Sequence, residues 1–492
     1  MTLLNVRKIL QFEHLMLLPI LGLAFYIAFI PHQNYPYPLH VDEWVHLTYS
    51  QSILQTGSLP LNMEIGFQLF WSIFQQLSGL SWMTIFRYFP GIIFVITVLS
   101  VYIMARREGF GWEAALFTCL IPSTVGIMGP AFLVPVSMGL LFTPLMLFLV
   151  FNFRTVWTYL LLFILITFLL AIHAPSAISP IIVLTPYILL NLKGNFKHSL
   201  GIASALLLPF LIVFPWIFNL LLPTAKNLLI QRSPEENVQL PRVILAYFTL
   251  RYNSPISYLP ILVFLLGSFL LALKGSKKNY GLVLGLLALL LMLVTFFTFH
   301  YGVPILYERG LMFMMLMVSI VTGAGLAGVK SIRLPGQVNT WLKVPLITQN
   351  VGRFLCLVLI VVTLFRVIPD RLDIPYYQMI DSEDYQAFVW IKENVDESYY
   401  KAIVDPWKAT AFAAITGKQV YTRIHMTAGD SDITAYNFLK EGSADTDFLQ
   451  GNGISIIYTR VLDLSLNKTI EYSSDNPNLV KVAKNIYLLK KP

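Results

Sequence analysis

The chain is poor in charge and in cysteine. Only 12% of its 492 residues are charged, whereas about a quarter of an ordinary soluble domain is charged. With two cysteines in 492 residues, a disulfide-stabilised scaffold is excluded. Cys119 and Cys356 both lie in apolar runs, so we expect them to be small buried core residues. A mean hydropathy of +0.68 excludes a soluble globular fold for most of the chain.

Apolar segments of membrane-spanning length recur along the first three quarters of the sequence. Eleven spans are predicted, near residues 12–30, 84–105, 112–128, 134–152, 156–172, 177–191, 200–222, 257–273, 281–298, 310–329 and 354–369. The composition changes after residue 369, where acidic residues begin to outnumber basic ones. The sequence therefore predicts an α-helical polytopic membrane protein, with a transmembrane domain over 1–369 and an external soluble α/β domain over 370–492.

The distribution of basic residues predicts the orientation. With the N-terminus in the cytoplasm, the inner connections carry 14 lysines and arginines and the outer ones carry 6. The positive-inside rule favours this arrangement, which accounts for the net charge of +8 without a nucleic-acid partner. We expect a multi-pass protein of the cell membrane with a cytoplasmic N-terminus and an extracellular C-terminal domain.

Three outer segments are longer than minimal connections: the first outer loop, a second loop at about 223–256 and the C-terminal region. The first outer loop, 31–83, contains half-apolar stretches at 42–56 and 63–78, which are typical of helices lying along a membrane surface. In the C-terminal region, helical patterns alternate with short extended runs, beginning with a predicted helix over 384–395 and ending with a predicted strand over 486–489. This alternation predicts a small domain with a mostly parallel sheet.

The most unusual chemistry lies in the first outer loop. Asp42 is the only aspartate before Asp370, and Glu43 stands beside it. His40 and His46 flank the pair, and the loop contains no lysine or arginine. Two adjacent carboxylates without a local cation are costly unless they are solvated, bound to a metal or catalytic.

A structural explanation of the same residues stays open. Asp42 could be the N-cap of a surface helix, with Glu43 in its favoured first turn. The two explanations are compatible, because a carboxylate at a helix N-terminus can still face a cleft. If a helix starts here, His46 at i+4 shares a face with Asp42.

The run His40-Val-Asp-Glu-Trp-Val-His46, continuing to Gln55-Thr-Gly-Ser-Leu-Pro60, resembles the first-outer-loop signature of the GT-C superfamily of membrane glycosyltransferases. Leu77-Ser-Gly79, Arg87-Tyr-Phe-Pro90 and a span ending at Arg106-Arg107 resemble the segment that follows it. The layout of about eleven spans, a long first outer loop and an external C-terminal domain is similar too. The histidine stands at Asp+4 rather than the Asp+3 of protein O-mannosyltransferases, so their substrate is not implied.

This resemblance implies an enzyme, a hexosyltransferase that uses a polyprenyl-phosphate-linked sugar donor. Asp42 is implied to be the general base that activates an acceptor on a glycan, lipid or protein, in an inverting displacement. Glu43 is implied to orient the acceptor or to help Asp42 hold a divalent cation, for which carboxylate oxygens suit Mg²⁺ or Mn²⁺.

The leaving phosphate needs donors and cations at the outer face. Arg309 is a candidate phosphate ligand, with an ion pair to Glu308 or an interfacial position as alternatives. His46, His173 and His300 are candidate substrate ligands, although a histidine at a helix end is often only a cap. Three further arginines of an outer loop are better explained as solvated residues: Arg232, Arg242 and Arg251.

The C-terminal region contains a second resemblance. The segment from Ala402 through Val404-Asp-Pro-Trp-Lys408 to Tyr421 is similar to the part of oligosaccharyltransferase catalytic subunits that bears their Trp-Trp-Asp-Tyr-Gly motif. The departure from that motif puts recognition of an Asn-x-Ser/Thr acceptor in doubt. Asn467-Lys-Thr469 is itself such a sequon.

Four functions remain open on the sequence. The leading prediction is transfer of a sugar from a polyprenyl phosphate, and the alternative within enzymes is oligosaccharyltransferase-like or ligase-type transfer of a whole glycan. A transporter or flippase of lipid-linked glycans would place ionisable residues at mid-membrane, whereas the polar groups here cluster at the outer face. A catalytically silent scaffold is the fourth.

Overall fold

The structure is a computed structural model, which describes residues 12–59, 64–123, 129–228, 259–299, 304–333, 345–372, 378–422, 430–463, 466–472 and 477–490. In the first part of the chain it contains the helices α1 (Phe12–Phe29), α2 (Val41–Thr56), α3 (Ile65–Ser78), α4 (Trp82–Arg106), α5 (Gly111–Cys119), α6 (Pro135–Asn152), α7 (Val156–Ile172), α8 (Ala174–Leu192), α9 (Phe196–Leu228), α10 (Leu259–Leu273), α11 (Lys277–Phe299), α12 (Pro304–Lys330) and α13 (Pro345–Leu372). In the C-terminal part it contains α14 (Ser382–Asn394), β1 (Lys401–Ile403), α15 (Ala409–Thr416), β2 (Gln419–Val420), α16 (Asp430–Lys440), α17 (Thr446–Gly451), β3 (Ile456–Tyr458), β4 (Arg460–Asp463), β5 (Leu466–Thr469), β6 (Leu479–Ala483) and β7 (Ile486–Leu489).

The apolar segments form helices that are long enough to cross a membrane. Within the described residues there are eight of them, at Leu15–His32, Trp82–Arg106, Pro135–Asn152, Ala174–Leu192, Phe196–Val213, Lys277–Phe296, Arg309–Lys330 and Asn350–Pro369. Two shorter apolar helices cover Val156–Ile172 and Ile261–Leu273. These ten coincide with ten of the predicted spans, so the predicted fold class of a polytopic helical membrane protein is confirmed.

The predicted span at 112–128 is different. Its described part is helix α5, which ends at Cys119 after nine residues and reaches about 14 Å, less than half the thickness of a bilayer core. All nine residues are buried, including Glu113, which forms an ion pair with Lys330 at the end of α12. The paired carboxylate and the short length make α5 a buried helix rather than a membrane span.

The chain forms two compact units. The first comprises residues 1–33, 62–67 and 88–375, and the second comprises 34–61, 68–87 and 376–492. Most of the first outer loop therefore belongs to the same unit as the C-terminal region. The predicted domain division at residues 369 and 370 stays a prediction.

The first unit is built around α12. Between Arg309 and Lys330, 89% of this helix is buried, whereas only 22% of α13 is buried between Asn350 and Pro369. Glycine lets α10 and α12 touch, because a Cβ on Gly325 would overlap the carbonyl oxygen of Val263. The large apolar side chains that α7, α9 and α13 expose are those expected to face lipid.

Charged residues collect at one end of the first unit. Lys278 at the start of α11 donates to Glu108 at 3.2 Å and to Asn152 at the end of α6 at 3.3 Å. The pair of Lys330 with Glu113 involves the last residue of α12. Lys278 and Lys330 are both residues that the orientation rule predicts on the inner side.

The second unit combines the helices of the first outer loop with the C-terminal domain. The two predicted loop helices are confirmed as α2 and α3, and they are joined by the hydroxyl of Ser72, which donates to the carbonyl oxygen of Ser50 at 2.8 Å. Helix α2 also packs against α15, whose eight residues are all buried. Because α15 is rich in alanine, the two helix backbones can approach closely.

The C-terminal sheet is mixed rather than mostly parallel. Its strand order is β2-β1-β3-β7-β6; β1 pairs in parallel with β2 and β3, whereas β7 pairs antiparallel with β3 and β6. Strands β6 and β7 are joined by a tight turn in which Asn485 adopts a φ of 65°, a conformation that asparagine tolerates. The hairpins β6–β7 and β4–β5 are absent from the sequence prediction. The antiparallel pairs of β7 with β3 and β6 make the five-stranded sheet mixed, whereas β4 and β5 form a separate two-stranded sheet.

Candidate functional site at the start of helix α2

The predicted catalytic pair lies in the first turn of α2. His40 is the N-cap, with extended backbone angles, and its Nδ1 accepts a hydrogen bond from the N–H of Asp42 at 3.1 Å. The alternative that Asp42 itself is the N-cap is therefore wrong, because the histidine takes that place. Neutral His40 then carries its proton on Nε2.

Glu43 completes a capping box with this histidine. Its Oε2 accepts from the N–H of Leu39 at 2.7 Å and from the N–H of His40 at 3.1 Å. The side chain is fully buried. These bonds satisfy backbone donors that would otherwise be orphaned at the helix start. These hydrogen bonds directly support a structural, capping role for Glu43. Its predicted role in orienting an acceptor stays a prediction.

Asp42 has a different environment from its neighbour. About 36% of its side-chain surface is exposed, and its Oδ1 lies 3.9 Å from Nδ1 of His40. Of the two adjacent carboxylates, Asp42 is the one that solvent or a substrate can reach.

The segment before α2 is fixed within its unit. The hydroxyl of Tyr35 donates to the carbonyl oxygen of Ile380 at 2.7 Å, and burial raises the pKa of this hydroxyl well above its usual range. The ring of Tyr37 stacks on Tyr385 of α14, with ring centres 4.7 Å apart. Asp42 therefore stands on a rigid support, five residues beyond Tyr37.

His46 is buried one turn after Asp42, with 3% of its surface exposed. The predicted helical spacing is confirmed, because both residues lie in α2. The substrate contact predicted for His46 stays a prediction. Its burial makes packing within α2 the more direct explanation of this residue.

His173 belongs to the first unit and caps a helix there. It is the N-cap of α8, and its Nδ1 lies 2.6 Å from Oγ of Ser176. Its Nε2 lies 3.7 Å from Oε1 of Glu64. Sequence reasoning missed Glu64, although it is the only other acidic residue in a loop that contains no lysine or arginine.

Arg309 is half-buried in α12. A Cβ on Gly139 of α6 would overlap Ser176 and would also lie 3.3 Å from the ring of Phe313. Ser176 and Phe313 come one turn after His173 and Arg309, respectively, so these two candidates lie at the same end of the first unit. The substrate contacts predicted for both stay predictions. Four other residues considered at the outer face lie outside the described residues: Arg232, Arg242, Arg251 and His300.

The residues around Asp42 do not suit the predicted divalent cation. Glu43 does not fit as a metal ligand, because its Oε2 already accepts two backbone N–H groups and its side chain is buried. Within the described ranges, no group of three or more histidine, cysteine or acidic side chains could hold an ion. The residues that the structure describes therefore do not form a metal site around Asp42.

The segment that resembles the oligosaccharyltransferase motif is used structurally. Asp405 is buried, and burial raises the pKa of its carboxyl group. Its carboxylate accepts from the N–H of Trp407 at 2.9 Å and from the N–H of Leu462 at 2.6 Å. The carboxylate therefore fixes the turn after β1 to the β4 strand.

Other polar residues of the C-terminal domain also have structural partners. Asp445 is the N-cap of α17. The side chain of Asn467 accepts from Nζ of Lys408 at 2.7 Å and donates to Asp381 at 2.9 Å. Cys119 and Cys356 are free and buried, as predicted.

The fold is similar to that of solved structures of an archaeal oligosaccharyltransferase. The sequence matches no protein-family model and none of the curated proteins with which it was compared, so the relationship lies in the structure. The resemblance drawn from the first outer loop is therefore confirmed at the level of the fold, at low sequence identity.

Three solved structures of the oligosaccharyltransferase from Archaeoglobus fulgidus illustrate the similarity. The apo form superimposes with a TM-score of 0.59 at 11% identity, over 91% of this chain and 69% of that one. A complex of AglB from the same organism with an inhibitory peptide and a dolichol-phosphate gives 0.56 at 11% identity, over 90% and 69%. A complex with zinc and sulfate gives 0.54 at 12% identity, over 90% and 67%.

Proposed function

We propose that this protein is a membrane glycosyltransferase that moves a sugar or a whole glycan from a polyprenyl-phosphate-linked donor to an acceptor at the outer face of the membrane. The observation that carries the proposal is the position of Asp42. Its partly exposed carboxylate lies in the first turn of a rigidly held helix, in a chain with the fold of glycan transferases. A neighbouring structure binds a dolichol-phosphate, which supports a lipid-linked donor.

The chemistry assigned to Asp42 is general-base catalysis. The carboxylate takes the proton of an acceptor hydroxyl or amide while the acceptor atom bonds to the anomeric carbon. The bond from that carbon to the lipid phosphate breaks, and the phosphate leaves with the electron pair. A single displacement of this kind inverts the anomeric centre. His40 and Glu43 keep the start of α2 in place, which fixes the base against its target.

The leaving phosphate is assigned to the first unit. Arg309 would contribute a guanidinium that can bind two phosphate oxygens. His173 would donate a hydrogen bond through Nε2, because its Nδ1 accepts from the N–H of Ser176. Arg309→Ala is expected to weaken donor binding more than it slows the chemical step.

The size of the transferred group separates two forms of the proposal. Neighbours that are oligosaccharyltransferases favour transfer of a whole glycan. The Val404–Lys408 segment argues against an Asn-x-Ser/Thr acceptor, because the Asp405 carboxylate already binds two backbone N–H groups. A transporter is the less favoured alternative, because the structural neighbours are transferases.

The test is a transfer assay on the purified protein in nanodiscs. Polyprenyl phosphates carrying one radiolabelled sugar or a short glycan are offered with lipid, glycan and peptide acceptors. Asp42→Asn keeps the size of the side chain but removes the base, and it should lower the rate by about 10²–10⁴-fold. Asp430→Asn is the matched control, since Asp430 is an exposed aspartate in the first turn of α16, and it should retain the wild-type rate.

Equal turnover by wild type and Asp42→Asn would reject Asp42 as the general base. Movement of a lipid-linked glycan across the bilayer without any transfer would instead support the transporter. A silent protein that neither transfers nor moves a glycan would support a scaffold.

The orientation is tested separately by cysteine labelling in intact cells. Both native cysteines are buried, so they give little background. We expect an impermeant reagent to label Ser443→Cys in the C-terminal domain and to leave Ser276→Cys unlabelled. Ser276 is exposed just before α11, which makes it a fair inner-side control. The reverse pattern would place Asp42 in the cytoplasm.

A further inference from the structure

A cleft in the second unit has no part in the chemistry proposed above. Its volume is about 620 Å³, and it lies between one face of α2 and the turn that joins α15 to β2. Clefts of this size are typical of sites for small ligands. Its walls belong to a single compact unit, so the cleft is built into that unit alone.

The wall contributed by α2 is polar along one helical stripe. Thr48, Gln51, Ser52 and Gln55 line the cleft at the spacing i, i+3, i+4 and i+7. A solvent-exposed face of a helix usually carries charged side chains, whereas this stripe carries only hydroxyls and carboxamides. The hydroxyl of Thr48 donates to the carbonyl oxygen of Trp44 at 2.9 Å and can accept from a ligand. The other three groups can both donate and accept hydrogen bonds, which matches the hydroxyl groups of a sugar.

The remaining charge in the cleft is positive. Lys392, in the last turn of α14, and Lys418, just after α15, line it, and among the described lining residues there is no carboxylate. Nζ of Lys418 donates to the carbonyl oxygens of Asp396 and Tyr399 at 3.1 and 2.8 Å. These two bonds hold the ammonium group and leave one of its three N–H groups for a ligand.

The cleft is separate from the proposed catalytic aspartate. Asp42 does not line it. Thr48 lies about 9 Å further along the helix axis, and the polar stripe is rotated by roughly 80–180° from Asp42 around the helix. A molecule held here does not occupy the position of the reacting groups.

We propose that this cleft is a second binding site, which takes an acidic saccharide. The hydroxyls and carboxamides of α2 bind the sugar hydroxyls, and Lys392 and Lys418 bind a uronic-acid carboxylate or a sugar phosphate. This inference concerns binding alone and does not depend on transfer by Asp42.

The experiment titrates the full-length protein in nanodiscs by calorimetry. The probes are a disaccharide that ends in glucuronic acid and the same disaccharide ending in glucose. The acidic probe should bind with a Kd on the order of 1 mM and at least about threefold more tightly than the neutral one. Asp42→Asn should bind both probes as the wild type does, so loss of transfer and loss of this site are distinguishable.

Three variants locate the site and one controls for charge. Gln51→Leu and Gln55→Leu should each weaken both probes by about threefold, since each removes one pair of hydrogen bonds. Lys392→Met should lower the preference for the acidic probe by about two- to fivefold. Lys490→Met removes an exposed lysine of the same unit outside the cleft and should change neither affinity.

Four results would overturn the proposal. The first is that neither probe binds saturably, and the second is that the three cleft variants bind both probes as the wild type does. The third is that both probes bind with equal affinity. The fourth is that inorganic phosphate displaces the acidic probe at equal concentration. The last result would identify a simple anion site. The thermal unfolding of each variant is measured first, so that a folding defect is not taken for a lost contact.

Discussion

Helices α2 and α14 begin with the same local motif in the same unit, and they use it differently. Both start at a capping box, formed by His40 and Glu43 in α2 and by Asp381 and Asp384 in α14. Both have two acidic residues in their first turn. The local signal for a helix start is therefore equally strong in the two places.

Their surroundings differ in charge. At α14, Arg460 binds Asp381 at 2.7 and 2.8 Å and Asp384 at 2.9 Å. The fully buried Asp384 also accepts from Lys408 at 2.9 Å and from Tyr458 at 2.6 Å. At α2, the N-cap is a histidine, and the whole loop from residue 31 to 83 contains no lysine or arginine.

This comparison shows that the same motif carries fully paired charges in one helix and a partly exposed carboxylate in the other. Buried carboxylates that are paired and hydrogen-bonded fix a fold in a single arrangement. A carboxylate that keeps part of its surface exposed can be reached by a substrate. The first description fits α14, and the second fits Asp42.

The largest contrast in stability should come from removing one carboxylate from each helix. Asp384→Asn leaves the buried charges of Lys408 and Arg460 without their shared partner, and it should cost about 3–5 kcal/mol of the free energy of unfolding. Asp42→Asn should change that free energy by less than about 0.5 kcal/mol. Hydrogen exchange of the amides of α14 and α2 measures both.

A loss for Asp42→Asn as large as that for Asp384→Asn would break the comparison. It would make Asp42 a structural residue, whatever happens to turnover. Glu383→Gln is the matched control at α14, because it removes an acidic residue from the same first turn that is not buried.

A smaller effect is expected from the capping carboxylate of α2. Glu43→Ala leaves the buried N–H groups of Leu39 and His40 without their acceptor, and it should cost about 2 kcal/mol. Glu43→Gln keeps a side-chain oxygen that can accept hydrogen bonds, and glutamine also occurs at this position of capping boxes. Its free energy of unfolding should therefore stay within about 1 kcal/mol of the wild-type value. The two variants are compared by hydrogen exchange in α2.

Turnover by Glu43→Gln then separates the cap from a role at the acceptor. If Glu43 only caps α2, the rate should stay within about threefold of the wild type. A drop as deep as that of Asp42→Asn would place the carboxylate in the chemistry.

The contribution of the Tyr35 hydrogen bond to holding the start of α2 should be measurable separately. Tyr35→Phe removes the hydrogen bond to the carbonyl oxygen of Ile380 and keeps the buried ring, so it should cost about 1 kcal/mol. The loss should appear in the exchange of the amides that follow residue 35, and turnover should fall in step with it. Tyr26→Phe, on an exposed tyrosine of α1, is the matched control and should leave both unchanged.

The smallest effect is a pH dependence confined to the α14 network. Burial tends to raise the pKa of Asp381, but hydrogen bonds from Arg460 and from the N–H of Asp384 outweigh it and hold the pKa below its usual range. Because the folded pKa is lowered, the stabilisation is complete above the unfolded value of about 3.9 and is lost as pH falls below it. The unfolding temperature should fall below about pH 4, and less steeply in Arg460→Met.

Much of the helical architecture follows from the sequence. Ten predicted spans correspond to apolar helices, and the predicted helix over 384–395 is found at Ser382–Asn394. The predicted last strand, 486–489, is found at β7. Such elements are predictable because their apolar period or their caps lie within the segment itself.

The errors have long-range causes. The segment at 112–128 has the hydropathy of a span, but Glu113 pairs with Lys330, which lies 217 residues later. The sheet is mixed because β7 pairs antiparallel with β6 and also with the distant strand β3, in which Ile456 lies opposite Leu488. Neither partner can be identified from local spacing.

The sequence by itself determined that two adjacent carboxylates, Asp42 and Glu43, stand at a helix start in a loop without lysine or arginine. Only the tertiary structure decided which of them is buried and which is exposed. The reason is that burial depends on the backbone groups and side chains that the fold brings near. Glu43 accepts from the turn before α2, whereas Asp384 is neutralised by Arg460, 76 residues away in the chain.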